Sequence, residues 1–383
     1  MATVSNRDTR GAKSKQRVGS GFTRAGRQSL ADPRTRDDVY PDPQFLAWAP
    51  GTPLPTRVPV TMDTTSRIFV AGHRGLVGSA LVRALRGDGY GNLVLCTHAE
   101  LDLTDRSTVE AFFRDQRPEY VFLAAARVGG ILANSTYPAE FIRDNLEIHV
   151  NVIHQAWAHG AKRLIYFGSS CIYPRACPQP IREEYLLTGP LEPTNSAYAL
   201  AKIAGLEMCR AYNQQYGTQY LGVMPTNLYG PGDNYDCENS HVMPALMRKF
   251  HLAKARGDKE VVIWGSGKPR REFLHVDDLA EACVMLAALD EATYARQIEA
   301  WRYPLVNVGC GQDQTITELA RTVAEAIGFR GELRYDATKP DGTPQKLLDS
   351  SRMAELGWRP RIALREGIAA TYRELLQARI LDA

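Results

Sequence analysis

Arg67-Ile-Phe-Val-Ala71 runs straight into Gly72-His-Arg-Gly75-Leu-Val-Gly78, and apolar residues then recur at helical spacing as far as Leu85. No other stretch constrains the fold as strongly. A short strand without polar alternation is apolar on both faces, so it belongs inside a sheet covered on both sides. The turn after it has glycines where a strand must reverse tightly into a helix and bring its backbone close to a ligand. Gly72 permits the turn, Gly75 lets a pyrophosphate approach the helix N-terminus, and Gly78 lets helix and strand pack closely. His73, Arg74, Leu76 and Val77 complete the expected phosphate-binding segment. Glycines so spaced also mark ordinary turns; the strand before them and the helix after them favour dinucleotide binding.

The same rhythm continues downstream. Strands are expected at 92–96, 120–124, 163–167 and 220–224, and helices at 107–115, 139–159 and 196–216. Such alternation defines an α/β chain with a doubly wound parallel sheet and right-handed crossovers. Beyond Pro225 the alternation loosens and Pro and Gly become frequent. Short strands are expected there at 261–264, 271–275 and 305–308, and helices at 277–289, 315–327 and 364–378. Residues 63–225 are therefore read as a nucleotide-binding Rossmann domain to which later segments return. Residues 226–383 are read mainly as a smaller, C-terminal substrate-binding lobe.

Residues 1–62 differ from the rest, with ten Arg or Lys against five Asp and no periodic apolar pattern. A segment of that composition is expected to be disordered, because its ordering entropy exceeds what it can gain by burial. It has no apolar core of a secretory signal, and its Asp residues do not suit a transit peptide. Met62 stands just before the first strand, a natural starting point for the folded unit. The net charge of +3 is too small to point to nucleic acid as a partner. No apolar run approaches the roughly 18 residues of a membrane span. The seven cysteines are odd in number and form no CxxC pair, which argues against a metal site or a disulfide framework and for the cytoplasm.

Tyr198-Ala-Leu-Ala-Lys202 places a phenol and an ammonium four residues apart, on one face of an expected helix. A phenol titrates near pH ~10, and a nearby cation favours its charged form. The pair opens the helix after the fourth strand, and Gly168-Ser169-Ser170-Cys171 lies at that strand's carboxyl end, the edge where ligands bind. Ser169 is then placed to hydrogen-bond a substrate carbonyl. The end of the second strand bears on cofactor choice. An NAD site places a carboxylate there; this chain has Cys96-Thr97-His98, with no acid until Glu100. Arg74 and His98 are expected to face a 2′-phosphate, and Asp102 and Leu103 the adenine. Two more groups stand out: Cys171, and His241 in Asn239-Ser-His-Val-Met-Pro244. On chemistry alone the more ordinary readings are an inert buried thiol and a satisfied structural histidine. Otherwise they form a base–acid pair acting on opposite faces of a sugar, whose 4-ketone acidifies C3 and C5.

Long motifs in order along 67–372 carry a resemblance: AGHRGLVGSA, LAAARVGGILANSTYP, GSSCIYP, LEPTNSAYALAKIAG, MPTNLYGPGDN, NSHVMPAL, WGSGKPRREFLHVDDL and DATKPDGTPQKLLD. The chain resembles the GDP-L-fucose synthases, bifunctional 3,5-epimerase-4-reductases of the extended short-chain dehydrogenase/reductase type. The resemblance implies NADP(H) as cofactor, a GDP-sugar as substrate and a homodimer. It implies Ser169, Tyr198 and Lys202 as the reductase triad, with Cys171 as epimerase base and His241 as acid. Pro225, Thr226, Asn227 and Leu228 would line the nicotinamide site, with Lys202 and His241 beside it. Trp264, Arg271, Asp341 and Lys346 would contact the GDP-sugar, Arg271 because guanidinium binds a diphosphate bidentately. The chain departs from the pattern in places. Cys96 and His98 stand where some members have arginines, which leaves Arg74 as the main 2′-phosphate ligand. Lys249 stands where some have a substrate-binding Arg. Residues 1–62 have no counterpart in compact members.

Two other functions compete with an epimerase–reductase. A simple nucleotide-sugar 4-reductase or 4-epimerase needs Tyr198, Lys202 and Ser169 but has no use for Cys171 and His241. A catalytically silent NADP-binding regulator has no need of an intact triad.

Overall fold

The computed structural model describes residues 62–235, 240–298, 301–339 and 341–382. The expected disordered segment up to residue 61 lies outside them, as do Cys237 and Asn239. In chain order the elements begin β1 (Ile68–Ala71), α1 (Leu76–Gly87), β2 (Leu93–Val94), α2 (Arg106–Gln116), β3 (Tyr120–Leu123), α3 (Ile131–Thr136) and α4 (Pro138–Ala158). They continue with β4 (Arg163–Phe167), α5 (Ser196–Tyr216), β5 (Gln219–Pro225), β6 (Asn227–Tyr229), α6 (Val242–Arg256), β7 (Glu260–Trp264), β8 (Arg270–His275) and α7 (Val276–Ala287). The last are α8 (Glu291–Thr293), β9 (Leu305–Val308), β10 (Asp313–Thr315), α9 (Ile316–Ile327), β11 (Glu332–Asp336), β12 (Gln345–Lys346), α10 (Ser351–Glu355) and α11 (Leu364–Gln377).

Six parallel strands form the central sheet in the order β2-β1-β3-β4-β5-β9. Every residue of β1, β3 and β4 is buried, as expected for strands covered on both faces. Alternate side chains feed two cores. Ile68 and Val70 pack with α1 and α7, together with the buried Met62; Phe69 and Ala71 pack with α2, α4 and α5. A third core joins α6, β7, α9 and α11 in the smaller lobe. The lobe's strands form a β10-β8-β12 sheet with β6 beside β8, and a separate parallel β11-β7 pair.

Two differences from the sequence reading matter. Residues 305–308, read as a lobe strand, form the sixth strand of the central sheet, and α7 covers that sheet beside α1. Helix α6 was not foreseen, because Pro244 interrupts its start. Pro244 sits in the first turn, where a backbone N–H has no intrahelical acceptor, so its missing donor costs the helix nothing.

Candidate active site

Ligands of an open parallel sheet bind beyond the strand carboxyl ends where neighbouring connections diverge. That point lies at β1, between β2 and β3. Gly72 stands there with φ +82°, and a Cβ on it would lie 2.8 Å from the Ala125 nitrogen, in the segment leaving β3. A Cβ on Gly78 would fall 2.1 Å from the Gly72 oxygen, so α1 packs on the turn at backbone contact. Gly75 differs. Its nearest neighbour would be the Gly72 oxygen at 3.5 Å, an ordinary contact. Protein packing does not require a glycine there; a ligand against the backbone does. Helix α1 opens with no acidic side chain in its first turn and no side chain capping its N–H groups. His73 Nδ1 is buried without a hydrogen-bond partner among the described residues. Leaving a buried polar atom unpaired costs roughly 1–3 kcal/mol. A pyrophosphate beside the turn would supply an acceptor, so the segment fits a dinucleotide.

The adenine end is built from exposed groups. His98 Nδ1 lies 3.9 Å from Asp102 Oδ1. Asp102 accepts from Thr104 N and Oγ1 at 2.9 and 2.7 Å, which holds its carboxyl below the usual range. Leu103 puts its side chain into the core, and its carbonyl accepts from Asn151 Nδ2 at 3.0 Å. Arg74 is exposed. Glu100 folds back to accept from Thr97 N and Oγ1, both at 2.8 Å. Those bonds hold its carboxyl low, with smaller help from Arg74 and His73.

At the end of β4, Ser169 caps a single helical turn, Ser170–Ile172, its Oγ accepting from Cys171 N at 3.4 Å. Tyr198 and Lys202 project from the first turns of α5. Lys202 Nζ lies 5.7 Å from the Tyr198 ring centroid and donates to the Phe167 carbonyl at 2.8 Å. Phe141 of α4 meets Tyr198 edge-on, with ring centroids 6.3 Å apart. Burial dominates the electrostatics. It raises the Tyr198 phenol and lowers Lys202 to about 8. The phenol-lowering effect expected of the ammonium is not seen; desolvation sets the direction. Burial also pushes the Cys171 thiol up, against the pull of Lys346, Ser169 and Lys202.

Cys171 borders a narrow recess of about 10 Å³ whose other walls include Arg175, Gln179, Glu192, Thr343 and Lys346. Arg175 pairs with Glu192 at 3.2 Å. Lys346 on β12 registers with Arg271 on β8, and burial lowers the pKa of both cations. Farther along the rim, Trp264 is 51% exposed, with Lys249 Nζ 4.8 Å from its ring centroid. Asp341, expected to contact the GDP-sugar, spends both carboxylate oxygens on Ser266 N and Oγ, each at 2.7 Å. These bonds fix the loop on which Asp341 stands.

His241 caps the start of α6 with extended backbone. Its imidazole reaches solvent from a hollow where desolvation lowers its pKa. Among the described residues no hydrogen bond or ion pair joins its ring to Cys171 or Tyr198. Pro225 ends β5 beside Val308. Thr226 Oγ1 and Asn227 Nδ2 both donate to the Glu272 carbonyl, at 3.2 and 2.8 Å, and Leu228 follows on β6. The buried Glu272 carboxylate accepts from Gly311 N at 2.7 Å and Leu348 N at 3.0 Å. It fastens the segments flanking this edge. Sequence reasoning passed over it, since a single Glu between charged and apolar residues carries no periodic signal.

A doubly wound parallel sheet, a pyrophosphate turn at its switch point and a buried Tyr–Lys pair on the next edge define a dinucleotide-dependent enzyme class. The chain belongs to the NAD dependent epimerase/dehydratase family, whose pattern matches residues 68–299. GDP-L-fucose synthase 1 of Arabidopsis thaliana is 59% identical over 310 residues, 81% of this chain and 93% of its own. GDP-L-fucose synthase of Escherichia coli (strain K12) is 51% identical over 311 residues, 81% of this chain and 97% of its own. Among solved structures, a GDP-mannoheptose C4 reductase from Campylobacter jejuni with NADP bound superimposes with a TM-score of 0.72. It is 40% identical, and the match covers 82% of this chain and 98% of that one.

Proposed function

We propose that the chain is a bifunctional 3,5-epimerase and 4-reductase converting GDP-4-keto-6-deoxy-D-mannose to GDP-L-fucose with NADPH. The relatives named GDP-L-fucose synthase support this reading over most of the chain. The observation that carries it is the placement of Cys171 with the reductase group: its backbone N–H donates to Ser169 Oγ at 3.4 Å, one turn from the strand end to which Lys202 is bonded.

The cofactor would lie along 72–78, with Thr226 and Asn227 at its reactive end; when bound it supplies hydride to C4. Tyr198, held protonated by burial, gives its proton to O4. Ser169 donates a hydrogen bond to the same oxygen, and Lys202 keeps a positive charge beneath it. For epimerisation, Cys171 as thiolate takes the proton from C3 or C5, leaving an enolate whose negative charge rests on O4. His241 as imidazolium returns a proton to the opposite face. Lys249, Trp264, Arg271 and Lys346 hold the nucleotide sugar in the lobe formed mainly by residues beyond 225.

One observation favours the rival, a plain 4-reductase. Burial raises Cys171 and lowers His241, the opposite of what a ready base–acid pair wants. The deciding experiment incubates the protein with GDP-4-keto-6-deoxy-D-mannose and NADPH in heavy water and reads the product by NMR. Deuterium at C3 and C5 with L-configuration supports the bifunctional enzyme; reduction without exchange leaves the plain reductase.

The proposal extends to a homodimer. Ile142, Leu146 and Val150 along α4, with Leu200, Ala204 and Met208 along α5, leave a half-buried to exposed apolar face suited to a second copy. Light scattering at micromolar concentration tests it. Among the described residues no helix is long and apolar enough to cross a membrane, and the described cysteines are all free, which suits a reducing cytoplasm.

A further inference from the structure

Two parallel strands end side by side at the substrate rim: Trp264, last in β7, registers with Asp336, last in β11. The loops that follow are stitched together. Gly265 N donates to the Asp336 carbonyl at 2.9 Å, and Ser266 gives its N–H and its hydroxyl to the two oxygens of Asp341. Gly265 has φ +79°, and a Cβ on it would lie 2.4 Å from Asp341 Oδ1, so the two loops meet without room for a side chain.

This stitch fixes Lys339. Its Nζ lies 5.2 Å from the Trp264 ring centroid, while Lys249 reaches the same ring from α6 at 4.8 Å. An ammonium over an exposed indole gains only roughly 0.5–1 kcal/mol. Two ammoniums gathered on one ring repel each other, and an anion between them turns that repulsion into attraction. The Asp336 carboxylate is turned to Thr338, its Oδ1 accepting from Thr338 N and Oγ1 at 3.0 and 2.6 Å, and it feels Lys339 only as a more distant charge. Among the described residues no carboxylate pairs with Lys339 within 4 Å. The ring itself is half open to solvent, an aromatic face on which a planar base can stack.

We propose that Lys339 is a binding residue for the nucleoside diphosphate part of the substrate, closing on it from β11's loop while Lys249 closes from α6. The assignment rests on the GDP-sugar reading above. Asp341 serves it by positioning the loop.

The test uses the full-length protein and GDP as probe, by calorimetry, with unmutated, Lys339→Ala and Lys339→Arg forms. Lys339 is exposed, so both variants are expected to fold. The expected result is about tenfold weaker GDP binding for Lys339→Ala, substantial recovery for Lys339→Arg, and a difference that shrinks as salt rises. The KM for the sugar rises with the loss of GDP binding while the KM for NADPH does not, a split that a general loosening of the site would not give. GDP binding by Lys339→Ala within twofold of the unmutated protein overturns the proposal and leaves the function reading standing. Failure of the unmutated protein to bind GDP overturns both.

Discussion

The two sides of the cleft are assembled by different means. The cofactor side is made of short continuous segments. Gly72–Gly78 is one turn, and Tyr198 and Lys202 share one helix face, tied to β4 by a 2.8 Å hydrogen bond. The proposed substrate side draws Cys171, His241, Lys249, Trp264, Arg271 and Lys346 from a one-turn helix after β4, from α6, and from β7, β8 and β12. A group written into a single helix or turn has its geometry set by local backbone. A group drawn from several elements depends on every packing contact between them. Variants on the first side should therefore act on one chemical step, while variants on the second should spread into binding.

Tyr198→Phe gives the sharpest expected loss. The phenol is the proton donor to O4 in the proposed mechanism, and a positioned acid contributes typically ~10²–10⁴-fold. NADPH oxidation in the presence of the keto-sugar should fall by about a thousandfold. NADPH binding, followed by fluorescence titration, should be unchanged. Oxidation within tenfold of the unmutated rate removes Tyr198 from the chemistry and with it the contrast between the two sides.

Cys171→Ser tests the substrate side, with an expected loss of about a hundredfold in C3 and C5 exchange with solvent, read by NMR in heavy water. NADPH binding should survive, because Tyr198, Lys202 and the glycine turn are untouched. His241→Ala should slow the same exchange and also raise the substrate KM, since His241 caps α6, the helix that carries Lys249. The pKa directions add a second readout. With the thiol raised and the imidazole lowered, the thiolate–imidazolium form is a minor species, at constant proportion between the two pKa values. Exchange should therefore follow a broad plateau across neutrality. A narrow bell centred near the ordinary histidine pKa is incompatible with the assigned pair.

The same contrast governs what the sequence made legible. The glycine turn, the buried strands and the Tyr198–Lys202 face are periodic or closely spaced, so their geometry follows from 2.0 and 3.6 repeats and from steric limits on a turn. Helix α6 escaped because Pro244 reads as a breaker unless its place in the first turn is known. The strand at 305–308 was recognised but given to the wrong sheet, since a fully apolar run does not say which neighbour it pairs with. Lys339 and Glu272 were invisible: one acquires meaning only when β11 lies beside β7, the other only when Gly311 and Leu348 meet it. The direction of the Tyr198 shift was missed for a related reason. Spacing identifies the nearby cation but not the depth of burial that sets the direction.

Lys202 should set the alkaline limb of reduction. Burial lowers its pKa to about 8, so the ammonium is present below that pH and lost above it, while the raised Tyr198 phenol stays protonated throughout. The kcat/KM for reduction should be flat below pH 8 and fall above it. Stability carries the opposite sign. A lysine whose folded pKa is depressed binds fewer protons folded than unfolded, so unfolding free energy rises with pH between about 8 and the usual value near 10.5. Relative to Lys202→Met, the unmutated protein should gain roughly 3 kcal/mol across that window in urea titrations. A parallel pH dependence of the two proteins contradicts the burial argument.

The smallest effect is expected at Arg74, which belongs to the locally written side yet lies at its exposed margin. Preference for NADPH over NADH asks for a cation at the 2′-phosphate. Arg74 offers one, but the Glu100 carboxylate draws on the same charge, and His98 lies 3.9 Å from Asp102. An exposed ion pair is worth about 0–1 kcal/mol and is screened by salt. Arg74→Ala should therefore narrow the NADPH/NADH ratio of kcat/KM by only about fivefold at low salt, and by less at ~0.5 M. Because the charge does nothing else in the turn, kcat with saturating NADPH should not move. A large fall in kcat would mean that Arg74 orients the pyrophosphate turn itself; the margin would then be as tightly coupled as the buried pair. An unchanged ratio would shift the 2′-phosphate to other groups, with Gln at position 100 the next substitution to measure.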